Sequence, residues 1–341
     1  MQASGRSGSI AAFASFILCQ LPVISLDNLL YLVGIDYINE AEIKDDRNES
    51  TTLKNDSAPV ENQTISRFFI DRSNFETNII YRMPAPQEYA NELPPIGVKE
   101  ITYDSGNLRL KAWLSDKPAD GNKHPAIVYA HGGFSFAKSE WMSMQEFIDQ
   151  GFVLMTPTLR GENGNPGNFE YFYGEVNDLV AAADYLANVS YVDKDRIFLC
   201  GHSIGGTLSM LTSMMPSKYR AISSFSGSPD QEIWFRNENG IIPFNSRNKK
   251  EIELRSPIVY SNSVIKPLFV SDGDQESYFL DTSRDFVEKV KKNGGICEFN
   301  IVKGDHFSAI PEEVRLSIAR FKKIEDYEAM RQNRTAKRGF P

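Results

Sequence analysis

From residue 98 to about residue 328, apolar positions fall into short runs and evenly spaced faces, a regularity missing from the residues before them. Residues 98–103 and 108–114 alternate apolar and polar side chains around Gly106-Asn107, which predicts two antiparallel strands joined by a tight turn. Continuous apolar runs then predict buried strands at 126–130, 152–156, 197–200, 221–225, 268–270 and 297–302. Helical patterns separate them. Residues 139–150 are closed by Gly151, and 175–187 put Val176, Leu179, Val180, Ala183 and Leu186 on one face. Residues 206–215 stop at Pro216, and 278–292 and 311–324 supply the last two helices. Fully apolar strands alternating with helices describe a mostly parallel sheet covered on both faces.

The chain ahead of this region is different. An apolar run of about a dozen residues, 10–21, follows Arg6 and ends at Pro22. It is short for a bilayer core, which takes about 20 apolar residues, and it fits the apolar part of a secretory signal. A membrane tether or a buried N-terminal helix are the other readings. Export would make the protein secreted, periplasmic or membrane-associated and would expose sequons at Asn48, Asn55, Asn62, Asn188 and Asn333; without it the protein is cytoplasmic. Residues 45–66 are almost wholly polar and read as a linker, and Pro84, Pro86, Pro94 and Pro95 keep the chain irregular up to Ile96. The expected division is an apolar leader at 1–26, an N-terminal extension at 27–95, a folded domain at 96–330 and a tail at 331–341.

Composition narrows the function. With 37 basic against 45 acidic residues the net charge is -8, which argues against a partner recognised through its phosphate backbone. Three cysteines and four histidines are too few for a disulfide scaffold or a multi-histidine metal site, so neither metal nor cofactor is expected. An enzyme or a binding domain is left.

The order of elements, an antiparallel hairpin and then a parallel sheet, is that of the α/β-hydrolase fold. The chemistry sits in Gly201-His202-Ser203-Ile204-Gly205, between a strand and a helix. Glycines at 201 and 205 allow a turn too tight for side chains, holding Ser203 on a strained corner with its hydroxyl above the sheet. The Ile204 N–H then faces the space where an oxyanion forms, aided by the helix N-terminus. A serine needs a base, and His306 lies in the loop after the last strand. His124 reads as a surface residue, His202 as a packing residue and His131 as a brace for its own loop. The acid belongs after the penultimate strand, where Gly273-Asp274-Gln275-Glu276 selects Glu276 by a G-x-x-acid spacing; Asp274 is the alternative, and Asp272 reads as a loop cap. Ala130-His131-Gly132-Gly133-Phe134 follows the first parallel strand, and its Gly133 and Phe134 N–H groups are candidates for a second oxyanion donor.

These motifs carry a family resemblance. Thr158-Leu159-Arg160-Gly161-Glu162-Asn163-Gly164, and Tyr191-Val192-Asp193-Lys194-Asp195-Arg196-Ile197 leading into GHSIGG, resemble the catalytic domain of the prolyl oligopeptidase family, as do HGGF and GDHF. The likeness runs from about residue 96 to 324. It implies a serine hydrolase acting on a peptide or ester acyl bond without a cofactor. The chain departs from the pattern by lacking room before residue 98 for a β-propeller, by Ile204 in place of an aromatic residue, and by Glu276 in place of Asp.

Arg160 has two readings, a clamp for a substrate carboxylate or a brace for its loop, of which the brace is favoured. Residues 228–265 form a short lid insertion, and its Trp234 and Phe235 either line an acyl pocket or pack on the sheet edge. The sequence therefore points to a serine hydrolase with Ser203, His306 and Glu276 (or Asp274), acting on a small acyl ester or a short peptide. A carboxylesterase without peptidase activity and a non-catalytic hydrolase-like binding protein are the alternatives.

Overall fold

The computed structural model describes residues 65–237 and 240–324. The apolar run at 10–21, nearly all of the polar linker and the tail at 331–341 lie outside them. Among the described residues no helix is long and apolar enough to cross a membrane.

After a short helix α1 (Arg67–Ser73), strands β1 (Val98–Ser105) and β2 (Leu108–Ser115) form the leading hairpin, paired antiparallel from Val98 opposite Ser115 to Ser105 opposite Leu108. Then come β3 (His124–Ala130), α2 (Lys138–Ser143), α3 (Gln145–Asp149), β4 (Val153–Pro157), α4 (Gly174–Ala187), β5 (Val192–His202) and α5 (Ile204–Thr212). The rest is β6 (Tyr219–Phe225), α6 (Gln231–Asn237), α7 (Lys249–Glu253), a 3₁₀ segment (Pro257–Ser263), β7 (Leu268–Gly273), α8 (Ser277–Lys292), β8 (Cys297–Val302) and α9 (Ile310–Phe321). The eight strands form one sheet in the order β1-β2-β4-β3-β5-β6-β7-β8. Only β1–β2 and β2–β4 are antiparallel; every other pair is parallel. This is the α/β-hydrolase architecture.

Strand side chains alternate between the two faces, and each face meets its own helices. Ile127, Tyr129, Phe198 and Phe269 pack with Trp141, Phe147, Val314 and Phe321 of α2, α3 and α9. Val128, Leu199, Ile222 and Val270 pack with Val176, Leu179, Leu208 and Phe286 of α4, α5 and α8. Burial on both sides is why these strands read as unbroken apolar runs.

The differences from the sequence pattern have local causes. The helix expected over 139–150 is broken at Met144, whose φ of -99° and ψ of 8° leave the helical region. β5 starts at Val192, ahead of its apolar run, because the polar residues up to Arg196 are accommodated by a register shift against β3. α5 stops at Thr212, and the N–H groups of Met214 and Met215 bond back three residues in tightened turns.

The extension before β1 is attached to the domain at several points. Ser66 caps α1 by accepting from Phe69 N–H (3.0 Å) and donates to the Met214 carbonyl (2.5 Å). Phe68 is fully buried, edge-on to Tyr260 at 5.1 Å. Next, Ile79 pairs with Phe244 of the insertion, flanked by Ile80 N–H to Pro243 O (2.8 Å) and Asn245 N–H to Asn78 O (3.0 Å). Ala85 N–H then donates to Gly161 O, and Phe169 N–H to Met83 O, both at 2.9 Å. The extension is thus a strap from the insertion to the loop after β4.

Candidate active site

The strand–turn–helix at the end of β5 is built as its glycines require. A Cβ on Gly201 would strike the Gly205 carbonyl, and one on Gly205 would strike the Ala130 carbonyl. Ser203, at the corner, has φ 56° and ψ -112°, a conformation a non-glycine residue holds at a cost of about 1–3 kcal/mol when its surroundings enforce it. Its N–H donates to Phe225 O (2.8 Å), which ties the corner to the next strand. Ile204 is the first residue of α5, so its N–H has no partner within the helix.

His306 lies in the loop after β8, and its Nδ1 meets Glu276 Oε1 at 2.5 Å. The other carboxylate oxygen of Glu276 accepts from Gly273 N–H (2.7 Å) and from the Ser226 hydroxyl (2.5 Å). Glu276 is therefore held at three points, with its side chain 4% exposed. Asp274, the alternative acid, accepts from Gly304 N–H (2.9 Å) and fastens the His306 loop from below. The imidazole bonds Glu276 instead. Asp272 is fully buried beside Glu276, and burial pushes its carboxyl up to about 8. Glu313 is also fully buried and is pushed well up by burial and by its neighbours Glu276 and Asp272.

His202 does more than fill space. Its Nε2–H donates to the His306 carbonyl (2.7 Å), so it holds the backbone of the histidine loop. Burial, and then the charge of His306, push it down to about 3, which keeps the ring neutral. Its contact was hidden in the sequence because the partners are 104 residues apart.

On the other side of Ser203, His131 bonds Gly132 O (2.9 Å) through Nδ1 and Glu162 Oε2 (3.0 Å) through Nε2. Gly133 has φ +65°, and no hydrogen bond of its N–H is seen among the described residues. Phe134 differs from expectation. Its N–H donates to Gln87 Oε1 at 2.8 Å, so this candidate oxyanion donor is already engaged by the strap. Gln87 also fills the space a Cβ on Gly133 would need.

Two more expectations are corrected. Arg160 as a substrate ligand is not supported by its contacts: Nε and Nη2 donate to Asp178 (3.0 and 2.7 Å) and Nη1 to Glu170 (2.8 Å). Its fork is spent on bracing the loop. Phe235 is buried against Tyr171 and Phe244 at 5.0 and 5.1 Å and belongs to the core, not to a pocket wall. Trp234 does reach the cleft. That cleft is tight, a cavity of about 10 Å³ lined by Ser203, Ile204, Thr207, Ser226, Ser228, Gln231, Phe172, Trp234 and Phe279. Phe279 also stacks on the His306 ring at 5.8 Å, placing the histidine at the same cleft. A larger hollow of about 710 Å³ beside β8 contains neither Ser203 nor His306.

Phe172 went unnoticed in the sequence. With Tyr171 it forms two consecutive non-glycine residues at positive φ, 75° and 54°. The turn is enforced by Glu175, which accepts from the Glu170 and Tyr171 N–H groups, and by Arg255, which donates to Tyr171 O. Strain held this firmly aims the Phe172 ring at the cleft.

Comparison with known proteins assigns the family. The model of the prolyl oligopeptidase family matches residues 138–317, just over half of the chain. The chain belongs to the prolyl oligopeptidase family. That makes it a serine hydrolase by class, of peptidase or esterase type. An uncharacterized peptidase of Bacillus subtilis, YtmA, is 28% identical over 59% of this chain and 82% of its own length. A prolyl endopeptidase of Elizabethkingia miricola is 30% identical over 45% of this chain, which spans 22% of that protein. A Pyrococcus furiosus esterase structure superposes with a TM-score of 0.56 at 20% identity, over 71% of this chain and 98% of that one. The Elizabethkingia protein thus extends far beyond the stretch it shares with this chain.

Proposed function

We propose that this chain cleaves an ester or peptide acyl bond with Ser203 as nucleophile, His306 as general base and then acid, and Glu276 as the group that orients the imidazole. The observation that carries the reading is the Glu276–His306 contact at 2.5 Å beside the cleft that holds the strained Ser203. With Nδ1–H committed to the carboxylate, Nε2 is the nitrogen that takes the serine proton.

In the first step Ser203 Oγ bonds to the acyl carbon and its proton passes to His306 Nε2. The carbonyl oxygen becomes an oxyanion, received by the N–H groups of Ile204 and Gly133. Its collapse breaks the bond to the alcohol or amine, which leaves with the proton from His306. Water then attacks the acyl-Ser203 ester and gives its proton to His306. Release of the carboxylic acid returns that proton to Ser203, so one water is consumed per turnover.

The tightness of this cleft, a cavity of about 10 Å³ lined in part by Gln231 and Trp234 of the insertion, favours small acyl groups. The test is labelling with a fluorophosphonate, followed by turnover of 4-nitrophenyl acyl esters and of dipeptidyl and acylaminoacyl anilides. Labelling that maps to Ser203 and disappears on heat unfolding is expected; a folded protein left unlabelled at Ser203 overturns the reading.

A further inference from the structure

The cleft beside Ser203 is closed: about 10 Å³ takes a single water, so even an acetyl group needs one of the walls to yield. Most of the lining is fixed in place. One side is the strained corner and α5, another the segment after β6 with Gln231 tied to the Ser228 carbonyl (2.7 Å), and Phe279 is stacked on His306. The remaining walls, Phe172 and Trp234, depend on one turn. Phe172 sits on it at φ 75°, and the Trp234 indole N–H donates to the hydroxyl of Tyr171 (2.7 Å), its neighbour at φ 54°.

Two successive non-glycine residues at positive φ stay there only while their surroundings hold them. Here the Glu170 and Tyr171 N–H groups donate to a single oxygen, Glu175 Oε1, at 2.7 and 3.2 Å. Glu175 is buried, and among the described residues its other oxygen, Oε2, has no hydrogen-bond partner. The ionisable groups of this cluster are Glu170 and Arg160 on the loop after β4, Tyr173 and Asp178 on either side of Glu175 in the chain, Arg255 with Glu251 of α7, and Arg72 of α1. The three arginines are spent on other acceptors. Arg160 bonds Asp178 and Glu170, Arg255 bonds Glu251 (2.6 Å) and the Tyr171 carbonyl, and Arg72 bonds the Tyr173 carbonyl and Asn177 (3.0 and 3.1 Å). Burial first, and then the charge of Glu170, push the Glu175 carboxyl up to about 7 against the pull of Arg160.

We infer that Glu175 is a positioning residue for the acyl side of the cleft: as a carboxylate it holds the turn at 171–172, and with it Phe172 and Trp234, closed on Ser203, and as a neutral acid it lets that wall relax and admit a longer acyl chain. The inference rests on the hydrolase reading above. Hydrogen bonds to a carboxylate are about twice as strong as those to a neutral acceptor. A proton on Oε2 leaves Oε1 a plain carbonyl, so both ties loosen at once while the backbone strain they restrain is unchanged.

The experiment follows the ratio of kcat/KM for 4-nitrophenyl butanoate to that for 4-nitrophenyl acetate between pH 6 and pH 8, after fluorophosphonate labelling has been scored at Ser203. Both esters need the same His306, so its titration divides out of the ratio. The ratio is expected to rise as pH falls. With Glu175 neutral in about a tenth of the molecules at pH 8 and about nine-tenths at pH 6, the ceiling of that rise is about tenfold. In Glu175→Gln, which keeps a neutral acceptor and does not titrate, the ratio is expected to be flat with pH and to stand at the wild type's acid value. A wild-type ratio that is flat, or that falls with acid, overturns the inference whether or not the variant folds, and so does a slope that survives in Glu175→Gln. In each of those cases the labelled serine hydrolase stands. A folded protein that neither labels at Ser203 nor turns over either ester overturns the hydrolase reading and this inference with it.

Discussion

Two histidine–glutamate couples stand at the same end of the sheet, one on either side of Ser203, and they are put to different uses. In the first, His131 meets Glu162 at 3.0 Å with side chains 1% and 3% exposed; in the second, His306 meets Glu276 at 2.5 Å with 14% and 4% exposed. Both nitrogens of His131 face oxygens, the Gly132 carbonyl and the Glu162 carboxylate. Burial opposes charging of this ring, but Glu162 and the two hydrogen bonds outweigh it and raise it to about 9. Such a ring is a fixed cation clamping the glycine loop to the loop after β4, where Glu162 also accepts from Leu159 N–H (2.9 Å). His306 gives Nδ1 to its acid, and its couple sits at the cleft that holds Ser203. A buried histidine tied at both nitrogens to its own loop and a neighbouring one is a structural brace; one oriented by a carboxylate at the cleft of a strained serine is placed to move a proton.

The largest effect that would break this contrast is in the two histidines themselves. His306→Ala is expected to lower kcat on a 4-nitrophenyl ester by about 10⁴-fold or more while leaving the urea midpoint nearly unchanged. His131→Ala strands Glu162 in the interior and is expected to lower stability by about 3–5 kcal/mol, with a smaller loss of kcat in the protein that still folds. Paired kinetics and urea titrations measure both. If His131→Ala removed turnover as completely as His306→Ala and left the midpoint alone, the two couples would have to be given the same role. The sign with pH follows from the raised value of His131: its contribution is complete below its ordinary value of 6.5 and is lost as pH rises through about 9.

What the sequence made legible around these couples is what is encoded locally. The corner at Ser203 depends on Gly201 and Gly205, within two residues of it, and so shows as a motif. The position of Glu276 is also local, since Gly273 N–H donates to its carboxylate and Glu276 N–H donates back to the Gly273 carbonyl. The parallel sheet was legible because burial on both faces leaves strands wholly apolar. The rest is tertiary. Arg160 could be weighed but not decided, because Asp178 lies 18 residues on, around a helix. Gln87 touches Phe134 across 47 residues from a proline-rich stretch with no periodicity, and nothing local marks it. Phe172 is aimed by Arg255, 84 residues beyond the Tyr171 carbonyl that it holds.

A middle-sized effect tests whether the His131 side of the cleft is scaffold alone. Gln87 accepts from Phe134 N–H and lies against Gly133, so it helps set the peptide that presents the proposed oxyanion donor. Gln87→Met, similar in length but without the acceptor, is expected to lower kcat about tenfold with KM changed by less than about twofold, the mark of an interaction felt in the transition state. Gln87→Glu, which keeps an acceptor, is expected to retain more of kcat than Gln87→Met. A change confined to KM would show instead that the strap only shapes substrate binding.

The smallest effect on rate lies behind the His306 couple, where the consequence is one of stability. Asp272 is fully buried next to Glu276, and burial raises its carboxyl from 3.8 to about 8. Between those values the folded protein keeps a proton that the unfolded chain has released, so this group lowers stability progressively as pH rises from about 4 to about 8. Asp272→Asn removes the titration and keeps the shape. The variant should therefore match or fall below the wild type at pH 4, where both side chains are neutral, and gain on it steadily up to pH 8. Melting temperatures of the two proteins across that range measure the gap. A gap that stays constant with pH would mean that Asp272 is ionised in the fold. A second negative charge would then stand beside Glu276, behind the His306 couple.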